Sequence, residues 1–434
     1  MDESENFLRR KNPAFPSEAA QRERAAKRTT GLWAPGVLAR RQVFCEPMKE
    51  DDYMTHEEYM RRALELAKRG EGHVSPNPMV GCVVVKDGRI ISEGYHEKVG
   101  EYHAERNALL RCEEDPAGAD LYVTLEPCCH YGRTPPCTEI IIEKGIGRVF
   151  VAALDVNPLV AGKGVQTLRD AGIEVTTGIL EQEAIDLNEV FYHYFETHRP
   201  FVAMKYAMTL DGKIACHTGD SQWITGPQSR ACVHGLRKKY SSILVGIGTA
   251  LADDPMLNCR TDEGVDPVRL VADSQLRLPP DSQLAQTAKD IPTWVFTTEE
   301  TLQSAKGRER AEVLNRLGVD VIPCGYAGTT DYRSRIDPSH LLGLLAERDI
   351  DSVLIEGGGT VNASFLEAGL VDRVYAFLGP KLVGGADSKS PVEGKGVASM
   401  ADAAELTNIE VERFEDDILI TGRVKKGGTP CSQD

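Results

Sequence analysis

Tyr102-His103-Ala104-Glu105 and Glu126-Pro127-Cys128-Cys129-His130-Tyr131-Gly132-Arg133-Thr134-Pro135-Pro136-Cys137 are the stretches from which the rest of this chain is read. One imidazole and two thiolates make a three-ligand zinc set, and a zinc that performs chemistry keeps its fourth position open. Glu105, two residues after His103, is then placed to carry protons. His103 and Cys137 each fall where a helix should begin. A helix start favours negative charge and draws a thiol toward thiolate, so two such starts aimed at one spot suit a zinc–thiolate centre.

A lone H-x-E triplet is common, and a single C-x8-C pair is weak. Their combination is specific when a proline precedes the first cysteine and a helix–strand–helix frame lies between. It is the pattern of zinc deaminases that act on nucleobase-like rings. A purely structural zinc would usually take four protein ligands. The residues alone leave Cys128 and Cys129 as alternatives, since either could be the ligand and the other a small buried thiol.

Around this centre the chain reads as alternating helices and strands. Thr55 with Glu58 forms a capping box ahead of Met60, Ala63, Leu64 and Ala67, an apolar stripe at helical spacing that ends at Gly70. Strands are expected at 79–85, 89–94, 121–125, 148–153 and 173–176. A tight turn is expected at Asp87-Gly88, and helices near Ala104, near Thr138 and over 165–171. Residues 181–197 read as one helix, and Arg199-Pro200 then breaks the pattern. Beyond it, strands are expected at 201–208, 242–246, 268–272, 293–297, 319–322, 352–355 and 373–377. Helices are expected near 227–239, 309–317, 340–347 and 361–368. The alternation implies an α/β layer fold. The division is a zinc-dependent domain over 54–198, a second domain over 199–424 and a flexible tail over 425–434. Residues 1–53 are rich in Lys and Arg but contain acids such as Asp2, Glu3, Glu5, Glu18 and Glu23, and no apolar core. They read as a disordered extension rather than a targeting segment, with Met48 or Met54 as alternative starts.

With 66 acidic against 50 basic residues the net charge is −16, a poor balance for binding nucleic-acid phosphates. The 11 cysteines are odd in number and scattered, which fits a reducing compartment better than a disulfide framework. No apolar run approaches the roughly 18 residues of a membrane span. The expectation is a cytoplasmic protein with a small-molecule substrate, no nucleic-acid partner and no membrane partner. Oligomeric state is left open, although enzymes of this size are often symmetric oligomers.

The second half offers Lys205-Tyr206-Ala207-Met208-Thr209-Leu210-Asp211-Gly212-Lys213, Ser221-Gln222-Trp223-Ile224-Thr225, the segment from Gly246-Ile247-Gly248-Thr249 to Asp253-Asp254-Pro255, and Glu356-Gly357-Gly358-Gly359-Thr360. Backbone N–H groups of a glycine turn between strand and helix can cradle a dinucleotide phosphate, though such turns also occur without a ligand. No G-x-G-x-x-G fingerprint is present, so a Rossmann domain is not expected. Arg237 could bind phosphate as a fork or belong to a solvated helix face, and Trp223 could be plain packing.

Ser75-Pro76-Asn77-Pro78-Met79-Val80-Gly81, Gly94-Tyr95-His96, His103-Ala104-Glu105 and 124–137 resemble the deaminase half of the bifunctional RibD family of riboflavin-biosynthesis proteins. The segments of the second half resemble that family's reductase half, in the right order over about 54–422. The resemblance implies a cytidine-deaminase-like three-layer αβα domain followed by a dihydrofolate-reductase-like αβα domain that uses NADPH. It implies zinc on His103, Cys128 and Cys137, with Glu105 catalytic. Asn77, His96, His130 and Arg133 would contact the first substrate. Ala207, Trp223, Thr249, Asp253, Ser274, Gly358, Gly359, Thr360, Val361, Asn362, Ala363 and Ser364 would contact the cofactor. Lys205, Ser221, Arg237, Leu257, Arg260 and Glu356 would contact the phosphosugar. The implied reactions are hydrolytic deamination of 2,5-diamino-6-(5-phosphoribosylamino)pyrimidin-4(3H)-one, then reduction of the ribosyl group of 5-amino-6-(5-phosphoribosylamino)uracil. The competing readings are a nucleic-acid-editing zinc deaminase with an appended binding domain, a single-activity enzyme with a decayed partner half, and a metal-stabilised scaffold. The missing basic face weighs against the first, and intact motifs in both halves weigh against the second.

Overall fold

The computed structural model describes residues 54–261, 264–325 and 336–425. The expected extension over 1–53, and all of the expected tail beyond residue 425, lie outside the described residues. Among the described residues, two β-sheets organise the chain.

The first sheet has the order β2-β1-β3-β4-β5. Its strands are β1 (Gly81–Lys86), β2 (Arg89–Tyr95), β3 (Asp120–Leu125), β4 (Arg148–Ala153) and β5 (Glu174–Thr177). Strands β1 and β2 form the expected hairpin, with Asp87 and Gly88 both at positive φ (52° and 72°). Helix α1 (His56–Ala67) carries the expected capping box between Thr55 and Glu58. It packs on β1 because residue 81 is glycine: a Cβ there would fall on the Ala63 carbonyl. Gly94 does the same for α2 (Ala104–Arg111), whose Ala104 and Ala108 backbone lies against it. The core between includes Met60, Leu64, Val83, Val84, Leu121, Val123, Val149 and Leu168. Helices α3 (Cys137–Glu143) and α4 (Lys163–Asp170) complete the layers.

The single helix expected over 181–197 is two, α5 (Glu181–Leu187) and α6 (Glu189–Thr197). The break falls at Asn188, whose backbone leaves helical geometry (φ −105°, ψ 28°). Its buried side chain takes a bond from the Met79 N–H (2.8 Å) and gives one to the Met79 carbonyl (2.9 Å). An Asn side chain that satisfies a distant backbone competes with helix continuity. The same pair of bonds fixes the 75–80 loop.

The second sheet has nine strands among the described residues, in the order β10-β9-β8-β7-β11-β6-β12-β14-β13. They are β6 (Phe201–Thr209), β7 (Ser242–Gly246), β8 (Val268–Ala272), β9 (Thr293–Thr297), β10 (Val319–Pro323), β11 (Ser352–Ile355), β12 (Arg373–Gly379), β13 (Leu406–Phe414) and β14 (Asp417–Val424). The strands from β10 to β12 pair in parallel, and β14 and β13 add an antiparallel edge. The β13–β14 hairpin was not expected from the sequence. Most of β13 is exposed on both faces, Ile409 and Val411 included, so the alternation of Ile409-Glu410-Val411-Glu412 marks no buried face. Among the described residues the α-helices of this half are α7 (Pro227–Lys239), α8 (Ile247–Asp253), α9 (Gln283–Gln286), α10 (Glu299–Gln303), α11 (Ala305–Leu317), α12 (Pro338–Ala346) and α13 (Gly359–Glu367). Helix α11 starts four residues earlier than expected because Ser304 caps it through the Gly307 N–H (2.9 Å).

Candidate active sites of the two halves

At the carboxyl end of β3 the chain leads through Glu126 to Cys128. His103 stands at the N-cap of α2, and Cys137 opens α3. His103 Nδ1 lies 3.4 Å from Cys128 Sγ and 3.5 Å from Cys137 Sγ, and all three donor atoms are within 4.8 Å of one another. The Cys137 N–H points at Cys128 Sγ (3.4 Å). Two sulfurs and an imidazole, with no carboxylate among them, fit zinc. Cys129 turns away, its thiol directed at the Leu159 carbonyl. Both expected helix starts are present, but their effect on the thiols differs from expectation. The Cys137 thiol is bound to Cys128 and buried, which pushes it well above the usual range. That same bond, with His103, pulls Cys128 down to about 4 against the burial of its sulfur.

Glu105 is buried beside these donors, and burial next to the Cys128 thiolate pushes its carboxyl up to about 7. A carboxyl poised there exchanges protons near neutrality. Burial also lowers His96, which is 2% exposed. Its Nδ1 meets the Tyr102 carbonyl (3.1 Å), so that nitrogen carries the proton, and Nε2 accepts from the Asn77 amide (3.2 Å). Asn77, His96, His103, Glu105, Cys128, His130 and Arg133 thus line one cleft of about 590 Å³. His130 Nδ1 is buried there without a hydrogen-bond partner among the described residues.

Sequence reasoning missed Asp155 and Asn157, which line the same cleft just after β4. Burial raises Asp155 to about 6. Their place at the carboxyl end of a parallel strand was the available clue. It also missed Phe191, Tyr194 and Phe195 of α6, and Asp349 from the second half.

In the second sheet, β7, β11 and β6 lie side by side, and two clefts open at their carboxyl ends. One, of about 530 Å³, is lined by Lys205, Ala207, Ser221, Trp223, Arg237, Asp253, Leu257, Arg260 and Glu356. The other, of about 320 Å³, is lined by Ser274, Gly359, Thr360, Val361 and Ser364, by Gly246 of the quoted glycine segment, and by Arg277 and Lys389, which the sequence reading had not singled out. Thr249 and Gly358 line both. Asn362 and Ala363 line neither; both are buried on the far side of α13, where Asn362 donates to the Pro391 carbonyl (2.8 Å). Gly246 and Gly358 cap α8 and α13, leaving their backbone N–H groups toward the shared wall.

Glu356 sits beneath this wall. It accepts two bonds from Arg237 (2.7 and 3.1 Å) and one from Lys205 (3.2 Å). Burial resists its ionisation, but Lys205 and Arg237 outweigh that and hold it at about 2. Arg237 is therefore an inward-facing cation rather than part of a solvated helix face, and Lys239 beside it reaches Glu189 (3.3 Å). Asp211 accepts from the Val383 and Gly384 N–H groups and tethers that loop.

Comparison with known proteins agrees with this geometry. Residues 54–153 match the family described as cytidine and deoxycytidylate deaminase zinc-binding region, and residues 200–420 match the RibD C-terminal domain. The chain is 50% identical to the riboflavin biosynthesis protein RibD of Actinobacillus pleuropneumoniae over 87% of its own length and 98% of the relative's. It is 45% identical to that of Bacillus amyloliquefaciens, over 86% and 97%. The crystal structure of a diaminohydroxyphosphoribosylaminopyrimidine deaminase/5-amino-6-(5-phosphoribosylamino)uracil reductase from Thermotoga maritima superposes with a TM-score of 0.73 at 42% identity, covering 85% of this chain and 98% of that one. Acinetobacter baumannii RibD gives 0.74 at 37%, covering 85% and 99%. The chain belongs to the RibD family of riboflavin-biosynthesis proteins, with a deaminase domain in its first half and a reductase domain in its second.

Proposed function

We propose that the first cleft hydrolyses the 2-amino group of 2,5-diamino-6-(5-phosphoribosylamino)pyrimidin-4(3H)-one. The joined clefts of the second half then reduce the ribosyl group of the product to ribityl. The observation that carries this is the convergence of His103, Cys128 and Cys137 beside a buried Glu105. We place the division at 54–198 and 199–424.

Zinc would be held by His103, Cys128 and Cys137 and, when bound, would supply the Lewis acidity that activates water for attack on the ring carbon. Glu105 takes a proton from the attacking water, gives it to the ring nitrogen, and returns a proton to the departing amine, so that ammonia leaves as water's oxygen enters. Its raised pKa lets one carboxyl act in both directions. Asn77 holds the ring through an amide fixed by His96. The unpartnered Nδ1 of His130 and the guanidinium of Arg133 offer further contacts along the loop.

In the second half a bound NADPH would supply the hydride for C1′ of the ribose. Lys205, anchored by Glu356, directs its ammonium at the ring oxygen as the sugar opens. Arg260, exposed at the cleft mouth, binds the phosphate as a fork, with Ser221 and Leu257 beside it. Gly358, Gly359, Thr360, Val361, Ser364, Thr249 and Ser274 form the wall for the cofactor, with Ala207, Trp223 and Asp253 toward the sugar. The buried Asn362 and Ala363 support that wall from behind.

Both substrates are small molecules, and a net charge of −16 disfavours binding to nucleic-acid phosphates. Among the described residues no helix is long and apolar enough to cross a membrane. The unpaired thiols at the ligand positions suit the cytoplasm. Glu105→Gln should abolish ammonia release from the diaminopyrimidine yet leave NADPH oxidation on the deaminated substrate intact. Loss of both activities would refute two independent sites.

A further inference from the structure

We propose that the second half completes the deaminase cleft: residues 349–351, the turn between α12 and β11, position the Ser75–Asn77 loop and form part of the cleft wall. Ser75 donates to Asp351 Oδ2 at 2.6 Å. The other oxygen, Oδ1, accepts from Ser241 Oγ (2.6 Å) and Ser352 Oγ (2.7 Å) at the starts of β7 and β11. The carboxylate that holds the loop is therefore fixed by the second sheet. Asp351 is only 5% exposed, so the bond is sheltered from competing water.

Ser75 is followed by Pro76 and Asn77, both lining the deaminase cleft. Met79, further along, is held by Asn188. The loop is thus pinned at one end by its own half and at the other by the second half. Between the pins lies Asn77, and the proposal rests on the reading of Asn77 as a substrate contact.

Asp349 lines the same cleft from the second half. Its backbone is left-handed (φ 57°), Ile350 beside it is buried in the second core, and the Ile350 N–H bonds the Leu345 carbonyl (3.1 Å). The turn cannot drift away from the cleft without unpacking that core. Tyr194, another lining residue, reaches across to the Ala346 carbonyl (3.3 Å). A carboxylate on this wall accepts bonds from hydroxyl or amine groups and repels phosphate. Arg133, also on the lining, attracts phosphate. Together they orient a phosphosugar-bearing ring.

The test uses the zinc-loaded full chain and measures deamination and NADPH oxidation separately. Ser75→Ala should raise the KM for deamination about tenfold with kcat little changed, the size expected for losing a hydrogen bond to a charged group. Asp349→Ala should raise the same KM. Asp351→Asn can donate from its amide to Ser75 and should stay near the parent, whereas Asp351→Ala should match Ser75→Ala. NADPH oxidation on the deaminated substrate should be unaltered in Ser75→Ala and Asp349→Ala. The proposal is overturned if Asn77→Ala raises the KM while Ser75→Ala and Asp349→Ala do not. Parallel loss of both activities in Ser75→Ala also overturns it, since that indicates general destabilisation. An unchanged KM in Asn77→Ala would remove the substrate-contact reading itself, and the proposal with it.

Discussion

Eight residues separate Cys128 from Cys137, yet the two thiols are driven in opposite directions. Cys128 accepts from a thiol, an imidazole and a backbone N–H; Cys137 donates and is buried. A divalent cation between them would favour thiolate on both, so metal uptake should release protons. Cys137→Ser should bring zinc well below one per chain by metal analysis; full occupancy would remove Cys137 from the ligand set. These donors were legible because each is a chemically distinctive residue at a diagnostic spacing. Asp155 was not, because a lone acid after a strand is ordinary until burial and the cleft are seen. Glu356 gives a second residue-level prediction. Its carboxyl is held at about 2 in the fold against an ordinary 4.5. Its contribution is thus present above the ordinary value and is lost as pH falls toward 2. Across that window the urea midpoint of the parent should fall more than that of Glu356→Gln. Near pH 7, Glu356→Gln should be less stable by about 3 kcal/mol, because Lys205 and Arg237 lose their counter-ion. Equal pH slopes would exclude the linkage.

Elements were legible where a periodic apolar pattern met a cap or a glycine turn. Helix α1, the β1–β2 hairpin and the parallel strands of both sheets follow from such patterns. The short helices α8, α9 and α10 were not expected, and two further features escaped for identifiable reasons. The α5–α6 break depends on Asn188 finding the Met79 backbone, a contact between positions 109 residues apart that local propensity does not encode. The β13–β14 hairpin escaped because an exposed edge strand has no buried face to betray it. The glycines that space helices from the first sheet make a sharper claim. Gly81→Ala would drive a Cβ onto the Ala63 carbonyl and force α1 outward. It should cost about 1–3 kcal/mol in chemical denaturation, since backbone atoms cannot yield as a side-chain tip can. An unchanged midpoint would mean that α1 adapts freely.

Across the whole molecule the halves are joined by charge as well as by chain. Glu189, at the start of α6, is 6% exposed and meets Lys239 (3.3 Å), Arg373 (2.9 Å) and Arg423 (3.2 Å) of the second half. Arg423 also reaches Asp186 (3.0 Å). Removing the central carboxylate leaves half-buried cations facing one another. Glu189→Gln should therefore destabilise the joint by about 3–5 kcal/mol and resolve thermal unfolding into two calorimetric transitions. A single transition at the parental temperature would show that the network contributes little. The helix that carries this fastening also carries Phe191, Tyr194 and Phe195 along the wall of the deaminase cleft. Joint and wall are one rigid rod, so any rocking of one half against the other must change the bore through which the pyrimidine enters.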